Sequence, residues 1–269
     1  MVQETIAKGK PWTDPEFPPL AKSLYDPRID QVDEPLYKSF SWKRASQIFK
    51  PVHVFKDGVE PNDINQGQLG DCYFLAALSS LAEFPDRVKA MFVTKEINKA
   101  GIYMVRLFIN GTETAVIVDD HLPVRKSDGR PAFATCRDGE LWVSLLEKAW
   151  AKLHGAYARI EGGLPCFAAS HIMGVPSESY KHCELDSPED FFDMLQSADA
   201  RNFTMMASSH GQGENRSDEG VITGHAYSLI SIHEFHHKGR EVKLLKLRNP
   251  WGHGEWQGDW SDNSPLWTP

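Results

Sequence analysis

The segment QGQLGDCYFLAALSSL, residues 66–81, most constrains the fold, because a glycine-rich polar loop turns abruptly into an apolar helix. Apolar side chains recur at steps of three and four residues after Asp71, and Pro85 ends the pattern. Cys72 stands in the first turn of this helix. The free N–H groups and the dipole of a helix N-terminus favour negative charge, so a thiol there loses its proton more easily. The segment therefore predicts a reactive cysteine at the start of a buried helix.

Length and composition suit a folded globular protein. A chain of 269 residues fits one large domain or two small ones that share a cleft, and its 41% of hydrophobic residues can form a core. The net charge of −8 would repel phosphate backbones, so we expect no nucleic-acid partner. No apolar run reaches the roughly 18 residues of a membrane-spanning helix, and the N-terminus lacks the apolar region of a secretory signal. We therefore expect no transmembrane segment and a cytoplasmic location.

Four cysteines lie far apart and form no CxxC pair, which argues against a zinc ribbon. Free thiols in a reducing compartment are the expected state when a secretory signal is missing. We predict that Cys136, Cys166 and Cys183 are small buried hydrophobic residues. Cys72 is the cysteine whose surroundings predict chemistry.

The sequence pattern divides the chain into three segments. Residues 1–60 are rich in proline and aromatic residues and predict an irregular N-terminal arm. Residues 61–175 predict a helical subdomain that carries Cys72, with a helix over about 138–154 that ends at Gly155. Residues 176–269 predict a β-rich subdomain. We expect the chemistry to lie in the crevice between the two subdomains.

Shorter elements are marked by turn and cap signals. Asn110-Gly111 predicts a tight hairpin turn, and Ser187 is expected to cap a short helix. The hairpin strands are expected over 102–109 and 112–119, the helix after Ser187 to about residue 196, later strands over 204–209, 226–234 and 242–248, and a polar, mobile loop over 210–220.

His225 and Asn249 stand at the open ends of two predicted strands. A single histidine is more often structural than catalytic. If the segment HHKGR turns at residue 237, however, the hairpin register places His225 opposite Asn249. The amide can then orient the imidazole, whereas a slip of one residue would put the two side chains on opposite faces.

Three blocks, QGQLGDCYFLAALSSL, GHAYSL and RNPWGHGEWQGDWSD, closely resemble the active-site blocks of calpains, the intracellular papain-like cysteine proteases. DPEFPPL, VIVDDHLPV, LWVSLLEKAWAKLHGAY and EGG resemble other segments of the calpain core in the same order, so the resemblance covers about residues 11–269. It implies an α+β fold, a papain-like core of two subdomains with a helical first half and an antiparallel sheet in the second. The chain ends before the family's second half is complete, which predicts a core truncated at the C-terminus.

The resemblance also implies a role for each matching residue. Cys72 matches the nucleophile, His225 the general base and acid, and Asn249 the residue that orients the histidine. Gln66 matches the side-chain donor of the oxyanion hole. In the substrate-binding region, Trp251 matches the indole that covers the imidazole–amide hydrogen bond, and Gly224 leaves room for the substrate backbone beside the histidine.

Calcium is the cofactor that the resemblance implies, with one ion in each half. In the first half, Asp63 matches an aspartate ligand, and the carbonyls of Lys56 and Gly58 match backbone ligands. Ser170 stands where the family has a glutamate ligand, and Pro61 stands where it has an arginine that ties the halves together.

In the second half, Glu255 and Asp262 match two acidic calcium ligands, and the other ligands would lie beyond residue 269. Both calcium sites are thus incomplete by sequence.

Three functions remain open on this sequence. The intact set of catalytic residues favours a calpain-type cysteine endopeptidase that hydrolyses intracellular proteins, with calcium as a modulator. The incomplete calcium sites and the missing arginine instead favour a non-catalytic calpain-like module that binds a partner or regulates another protease. A metal or redox protein built on the cysteines and His236-His237 is the third reading. Further domains or a regulatory partner are compatible with each of them.

Overall fold

The computed structural model describes residues 2–7, 9–211 and 213–267. Met1, Lys8, Gln212, Thr268 and Pro269, which belong to the predicted arm, polar loop and β-rich subdomain, lie outside this description. Helices and antiparallel sheets are mixed along the described chain, which confirms the α+β class. No helix within the described ranges combines the length and the apolar character that a membrane crossing requires.

The segment before residue 60 contains short elements rather than continuous irregular chain. They are α1 (Val2–Ala7), α2 (Ala21–Leu24), α3 (Glu34–Lys38), β1 (Phe40–Arg44) and α4 (Ala45–Ile48). Phe17, Leu24 and Tyr37 from this segment are buried in the same hydrophobic core as the helices that follow.

Four α-helices occur in residues 61–175: α5 (Cys72–Ala82), α6 (Pro85–Ala90), α7 (Trp142–His154) and α8 (Pro165–Met173). Helices α5 and α7 follow the apolar periodicity of the sequence, whereas α6 and α8 were not predicted. Helix α7 begins four residues later than predicted, because Asp138 and Gly139 adopt positive φ angles of 60° and 80°. It ends at Gly155, whose φ of 92° forms the expected left-handed cap.

The first half also contains sheets, so the prediction of a helical half was incomplete. Its further strands are β2 (Ile64–Asn65), β3 (Ile102–Ile109), β4 (Thr112–Asp119), β5 (His121–Arg125) and β6 (Thr135–Cys136). They form three two-stranded antiparallel sheets, β1-β5, β2-β6 and β3-β4. The β3-β4 hairpin has the predicted bounds, and Asn110 and Gly111 supply positive φ angles at its turn.

Within its described residues, the second half contains one α-helix and a three-stranded antiparallel sheet of order β7-β8-β9. The elements are α9 (Pro188–Ala200), β7 (Met205–Ser208), β8 (Ala226–His237) and β9 (Arg240–Arg248). Ser187 caps α9 as predicted, since its hydroxyl accepts the N–H of Asp190 at 3.2 Å. The helix continues past residue 196 to Ala200.

The register of the β8-β9 hairpin differs from the predicted one. The turn is formed by Lys238 and Gly239, both at positive φ, so that His237 pairs with Arg240. A bulge between Leu229 and Ser231 then shifts the pairing by one residue.

Helix α5 joins the two halves, because it packs against α8 on the first side and β8 on the second. The hydroxyl of Ser80 donates to the carbonyl of Met205 at 2.6 Å, and that of Ser228 donates to the carbonyl of Ala76 at 2.9 Å. The helix that begins at Cys72 is therefore fixed directly to the sheet that follows His225.

Arg248 at the end of β9 forms a second link between the halves. Its guanidinium donates to the carbonyl of Ile64, to Asn62 Oδ1 at 3.2 Å and to Ser79 Oγ at 3.3 Å. Arg248 thus ties the second half to the first.

Candidate active site

Cys72 is the first residue of α5 and is half-buried. Burial raises the pKa of its thiol to about 11. A hydrogen bond from the backbone of Ala226 lowers this pKa, whereas the negative charges of Glu214 and Asp71 raise it further. The expectation of an easily ionised thiol is therefore wrong for this conformation, because desolvation outweighs the helix N-terminus.

The other three cysteines differ in burial. All four are free thiols, as predicted; Cys136 is buried, Cys166 is half-buried and Cys183 is exposed. The prediction of a buried residue is wrong for Cys183, which lies in the surface turn His182–Glu184.

His225 and Asn249 meet just beyond the ends of β8 and β9. The imidazole is 0% exposed, and its Nε2 lies 2.9 Å from Asn249 Oδ1. The amide orientation is set by its other bonds, since Nδ2 donates to the carbonyl of His253 at 3.0 Å and Oδ1 accepts the N–H of Trp251 at 3.0 Å. Asn249 Oδ1 is therefore an acceptor for Nε2–H, which leaves Nδ1 for another partner.

Glu214 occupies the other nitrogen of His225, which the sequence analysis did not foresee. Its Oε1 lies 2.9 Å from Nδ1, so one proton must lie between the two atoms. The donor atoms of Cys72, Glu214 and His225 all lie within 4.8 Å of one another. Glu214 belongs to the loop that was predicted only as polar and mobile, and no local pattern in that loop distinguishes it.

Aromatic rings enclose the imidazole. The ring of Trp251 lies 4.9 Å from that of His225, as expected for a covering indole, and Tyr227 packs edge-on at 5.0 Å. Sequence reasoning missed Tyr227, whose hydroxyl also accepts the N–H of Ile222 at 2.7 Å. These rings keep water from the His225–Asn249 hydrogen bond.

Gly224 lies beside the histidine at a φ of 59°. A Cβ there would approach the carbonyl oxygens of Gly213 and Gly211 at 3.0 and 3.1 Å. The space expected for substrate is thus bounded by the loop that carries Glu214.

Gln66 lies in the loop before Cys72. Its Nε2 donates one hydrogen bond to the carbonyl of Leu69 at 2.7 Å, which leaves the second N–H of the amide for another acceptor. Its backbone N–H donates to the carbonyl of Pro250 at 3.0 Å, between Asn249 and Trp251. This bond holds the Gln66 loop against the segment from the second half.

Two buried carboxyls lie behind the nucleophile. Burial raises the pKa of Asp71 to about 7, and burial together with Asp71 raises the pKa of Glu147 well above its usual value. Glu147 also accepts the N–H of Ala134 at 3.0 Å. The pair therefore holds at least one proton near neutral pH and carries less negative charge behind Cys72 than two free carboxylates would.

The first candidate calcium loop contains the half-buried carboxyl of Asp63, and the buried carboxyl of Glu140 lies against the loop. Burial raises the pKa of both groups. Glu140, which the sequence analysis missed, accepts the N–H of Lys56, and Asp63 accepts that of Glu60 at 2.8 Å. Gly58 takes a φ of 136° in the same loop. Carboxylate and carbonyl oxygens are the ligands that calcium prefers, and the ion would need both carboxyls in their ionised form.

The second candidate loop fits calcium less well, because Glu255 and Asp262 are exposed. Among the described residues, one group of three His, Cys, Asp or Glu donors lies close enough to share an ion, and it is Cys72, Glu214 and His225. Within the described residues, neither calcium loop brings three such side chains together. The cysteines likewise form no group of this kind with His236-His237 in that part of the chain.

Comparison with known proteins places these features in a family. The family described as calpain family cysteine protease matches residues 12–269. The chain is 40% identical over 286 residues to the calpain-type cysteine protease DEK1 of Zea mays, with 98% of the chain and 13% of that protein covered. It is 34% identical over 276 residues to calpain-9 of Homo sapiens, with 99% and 38% covered, and 36% identical over 280 residues to calpain-A of Drosophila melanogaster, with 99% and 32% covered. The chain thus spans less than two fifths of each of these relatives.

Proposed function

Because the chain belongs to the calpain family of cysteine proteases, we propose that it is an endopeptidase that cleaves intracellular proteins with Cys72, His225 and Asn249. The observation that carries the proposal is the buried His225–Asn249 hydrogen bond beside a cysteine at a helix N-terminus. A base oriented by a third group next to a nucleophile is the arrangement that covalent catalysis needs.

The proposed reaction begins with transfer of the Cys72 proton to Nδ1 of His225, since Asn249 holds Nε2. The thiolate attacks the peptide carbonyl, and the Cys72 N–H and the second N–H of Gln66 hold the oxyanion. His225 returns its proton to the leaving amine, and an acyl-enzyme remains. Water, deprotonated by the same imidazole, hydrolyses the thioester and restores the Cys72 thiol.

Glu214 must release Nδ1 before this proton transfer. The carboxylate occupies the nitrogen that receives the thiol proton, and the pKa of Cys72 is high while it does so. We therefore include in the proposal a rotation of the Glu214 side chain away from Nδ1 when substrate enters.

The test compares Cys72→Ser with Cys183→Ser in a fluorogenic peptide assay. Cys72→Ser should abolish cleavage without loss of the fold, and it should remove the thiol that a peptidyl electrophile labels. Cys183→Ser is the matched control, because it removes an exposed thiol remote from any proposed role. Normal turnover by Cys72→Ser would refute the assignment.

Calcium dependence is a further part of the proposal. The ion would be held by two carboxylates and two backbone carbonyls, those of Asp63 and Glu140 and those of Lys56 and Gly58. Its positive charge would help to hold the two halves in alignment. Peptidase activity that is equal in calcium and in excess chelator would refute it.

The proposed location is cytoplasmic, which four free thiols support. Fractionation of cells that express the tagged protein tests it. The family match, together with the presence of the nucleophile, base and orienting amide, favours the peptidase over a non-catalytic module.

A further inference from the structure

We propose that Cys72, Glu214 and His225 form a binding site for one thiophilic divalent cation of the Zn²⁺ type, and that this cation blocks the protease. The inhibitory part rests on the proposed function, whereas the binding part does not. The site differs from the calcium loops in both position and ligand chemistry.

The three donors are different groups that converge on one point. The Cys72 sulfur, the His225 nitrogen and the Glu214 oxygen lie within 4.8 Å of one another, and the last two are 2.9 Å apart. Zinc binds sulfur at about 2.3 Å and nitrogen or oxygen at about 2.0–2.2 Å, so its ligand atoms lie a little over 3 Å from one another. A small inward movement of the sulfur therefore completes three positions, and a water on the side of the partly exposed Glu214 carboxylate would take the fourth.

His225 is oriented as a metal ligand. A ligating histidine usually donates its other ring N–H to a carbonyl or carboxylate, which fixes the tautomer. Asn249 Oδ1 occupies that position on Nε2, and its own bonds to Trp251 and His253 hold it in place. The lone pair of Nδ1 is then directed at the cation.

Glu214 is held at the site by the backbone on both sides of it. The hydroxyl of Thr223 donates to the carbonyl of Gly213 at 3.0 Å, and the N–H of Asn215 donates to that hydroxyl at 3.2 Å. Thr223 directly precedes Gly224 and His225. These bonds hold the Glu214 loop to the histidine segment. The Glu214 side chain is 38% exposed, so an ion would enter the site from the side of this carboxylate.

The donor set selects the kind of metal. Thiolate and imidazole favour Zn²⁺ and similar ions, whereas Ca²⁺ prefers oxygen ligands alone. On binding, the Cys72 proton and the proton between Nδ1 and Glu214 go to solvent, and the thiolate and carboxylate neutralise the ion. The sulfur and Nδ1 are then both occupied, so neither nucleophilic attack nor proton transfer can occur.

Cobalt(II) tests binding without reference to activity, because thiolate ligation gives a charge-transfer absorption in the near ultraviolet. We expect the metal-free protein to bind one equivalent of Co²⁺ with this absorption, and Zn²⁺ to displace it. Glu214→Gln should weaken Co²⁺ binding at least tenfold, and Cys72→Ser should remove the absorption. Glu219→Gln, which neutralises an exposed acid in the same loop, should bind as the wild type does.

Peptidase assays with added Zn²⁺ give the second measurement. Zinc should inhibit the wild type and Glu219→Gln alike, and Glu214→Gln should need at least tenfold more. Equal Co²⁺ affinity in Glu214→Gln and wild type, or binding without the thiolate absorption, overturns the site. If the protein is an active peptidase but binds no Co²⁺, the metal site is refuted and the proposed function is retained. If the protein is inactive but binds Co²⁺ in a way that depends on Glu214, the proposed function is refuted and the metal site is retained.

Discussion

Asp119→Asn should strongly destabilise the protein, because it leaves a buried lysine without its counter-charge. Lys148 Nζ forms an ion pair with Asp119 Oδ1, and both side chains are 0% exposed. The ammonium also donates to the carbonyls of Asp119 at 3.1 Å and His121 at 2.7 Å. Asp119 Oδ2 in turn accepts the backbone N–H of Asp14 at 2.9 Å, so the pair fastens the N-terminal segment to α7.

The expected loss follows from the burial of the charge. Removal of one partner from a buried ion pair costs about 3–5 kcal/mol, since the remaining charge stays desolvated. At about 2–4 °C per kcal/mol for a chain of this size, the melting temperature should fall by about 6–20 °C. Asp128→Asn is the control, because the Arg125–Asp128 pair is 35% and 40% exposed and such pairs contribute about 0.2–1 kcal/mol.

Thermal unfolding followed by circular dichroism at pH 7 measures both variants. Asp119→Asn combined with Lys148→Met should recover part of the loss, because no unpaired charge remains buried. Equal melting temperatures for Asp119→Asn and Asp128→Asn would refute the reasoning. The sign of the pH effect is also fixed: the neighbouring hydrogen bonds and Lys148 lower the pKa of Asp119, so its stabilisation is present above about pH 4 and is lost as the pH falls further.

Three further variants test the site and its support. Arg248→Met should lower kcat/KM about tenfold or more by loosening the link between the halves, and Arg248→Lys should recover only part; unchanged kinetics in Arg248→Met would contradict this. Asn249→Ala should lower kcat far more than it raises KM, because His225 loses its orientation while substrate contacts remain; a change in KM alone would count against it. Glu147→Gln should flatten the loss of stability that we expect as the pH rises above about 4, because it removes one of the two buried carboxyls, Asp71 and Glu147, whose raised pKa makes the folded state hold protons that the unfolded state releases. That loss amounts to at most about 4 kcal/mol for Asp71, and identical pH slopes of unfolding free energy would exclude this role.

Elements with local end signals could be predicted from sequence. The β3-β4 hairpin has its predicted bounds because Asn110-Gly111 specifies the turn, and the ends of α5 and α7 follow from Pro85 and Gly155. Strands β1 and β5 could not be found in this way, since Phe40 pairs with Arg125 across a long stretch of chain. Such short strands are defined by a distant partner rather than by their own alternation.

The same distinction applies to the candidate site. Cys72, His225 and Asn249 carry local signals and a family resemblance, so their sequence positions could be identified. Glu214 and Arg248 could not, because their roles arise from contacts across space: a loop carboxylate turned onto an imidazole, and a guanidinium that reaches the opposite half. No pattern within a few residues of either one records those contacts.

The predicted register of the β8-β9 hairpin was wrong, and yet His225 and Asn249 lie together as predicted. Near its turn, β8 pairs with β9 so that Phe235 faces Val242. If that register continued to the open end, Asn249 would oppose Ser228, three residues from His225 and on the other face of the sheet. The bulge shifts the pairing by one residue, so that Ser228 faces Arg248, and the position opposite Asn249 becomes Tyr227. Tyr227 is two residues from His225 and therefore on the same face. One extra residue in β8 thus determines whether the amide can reach the imidazole, and the geometry of the site depends on a backbone irregularity as much as on the side chains themselves.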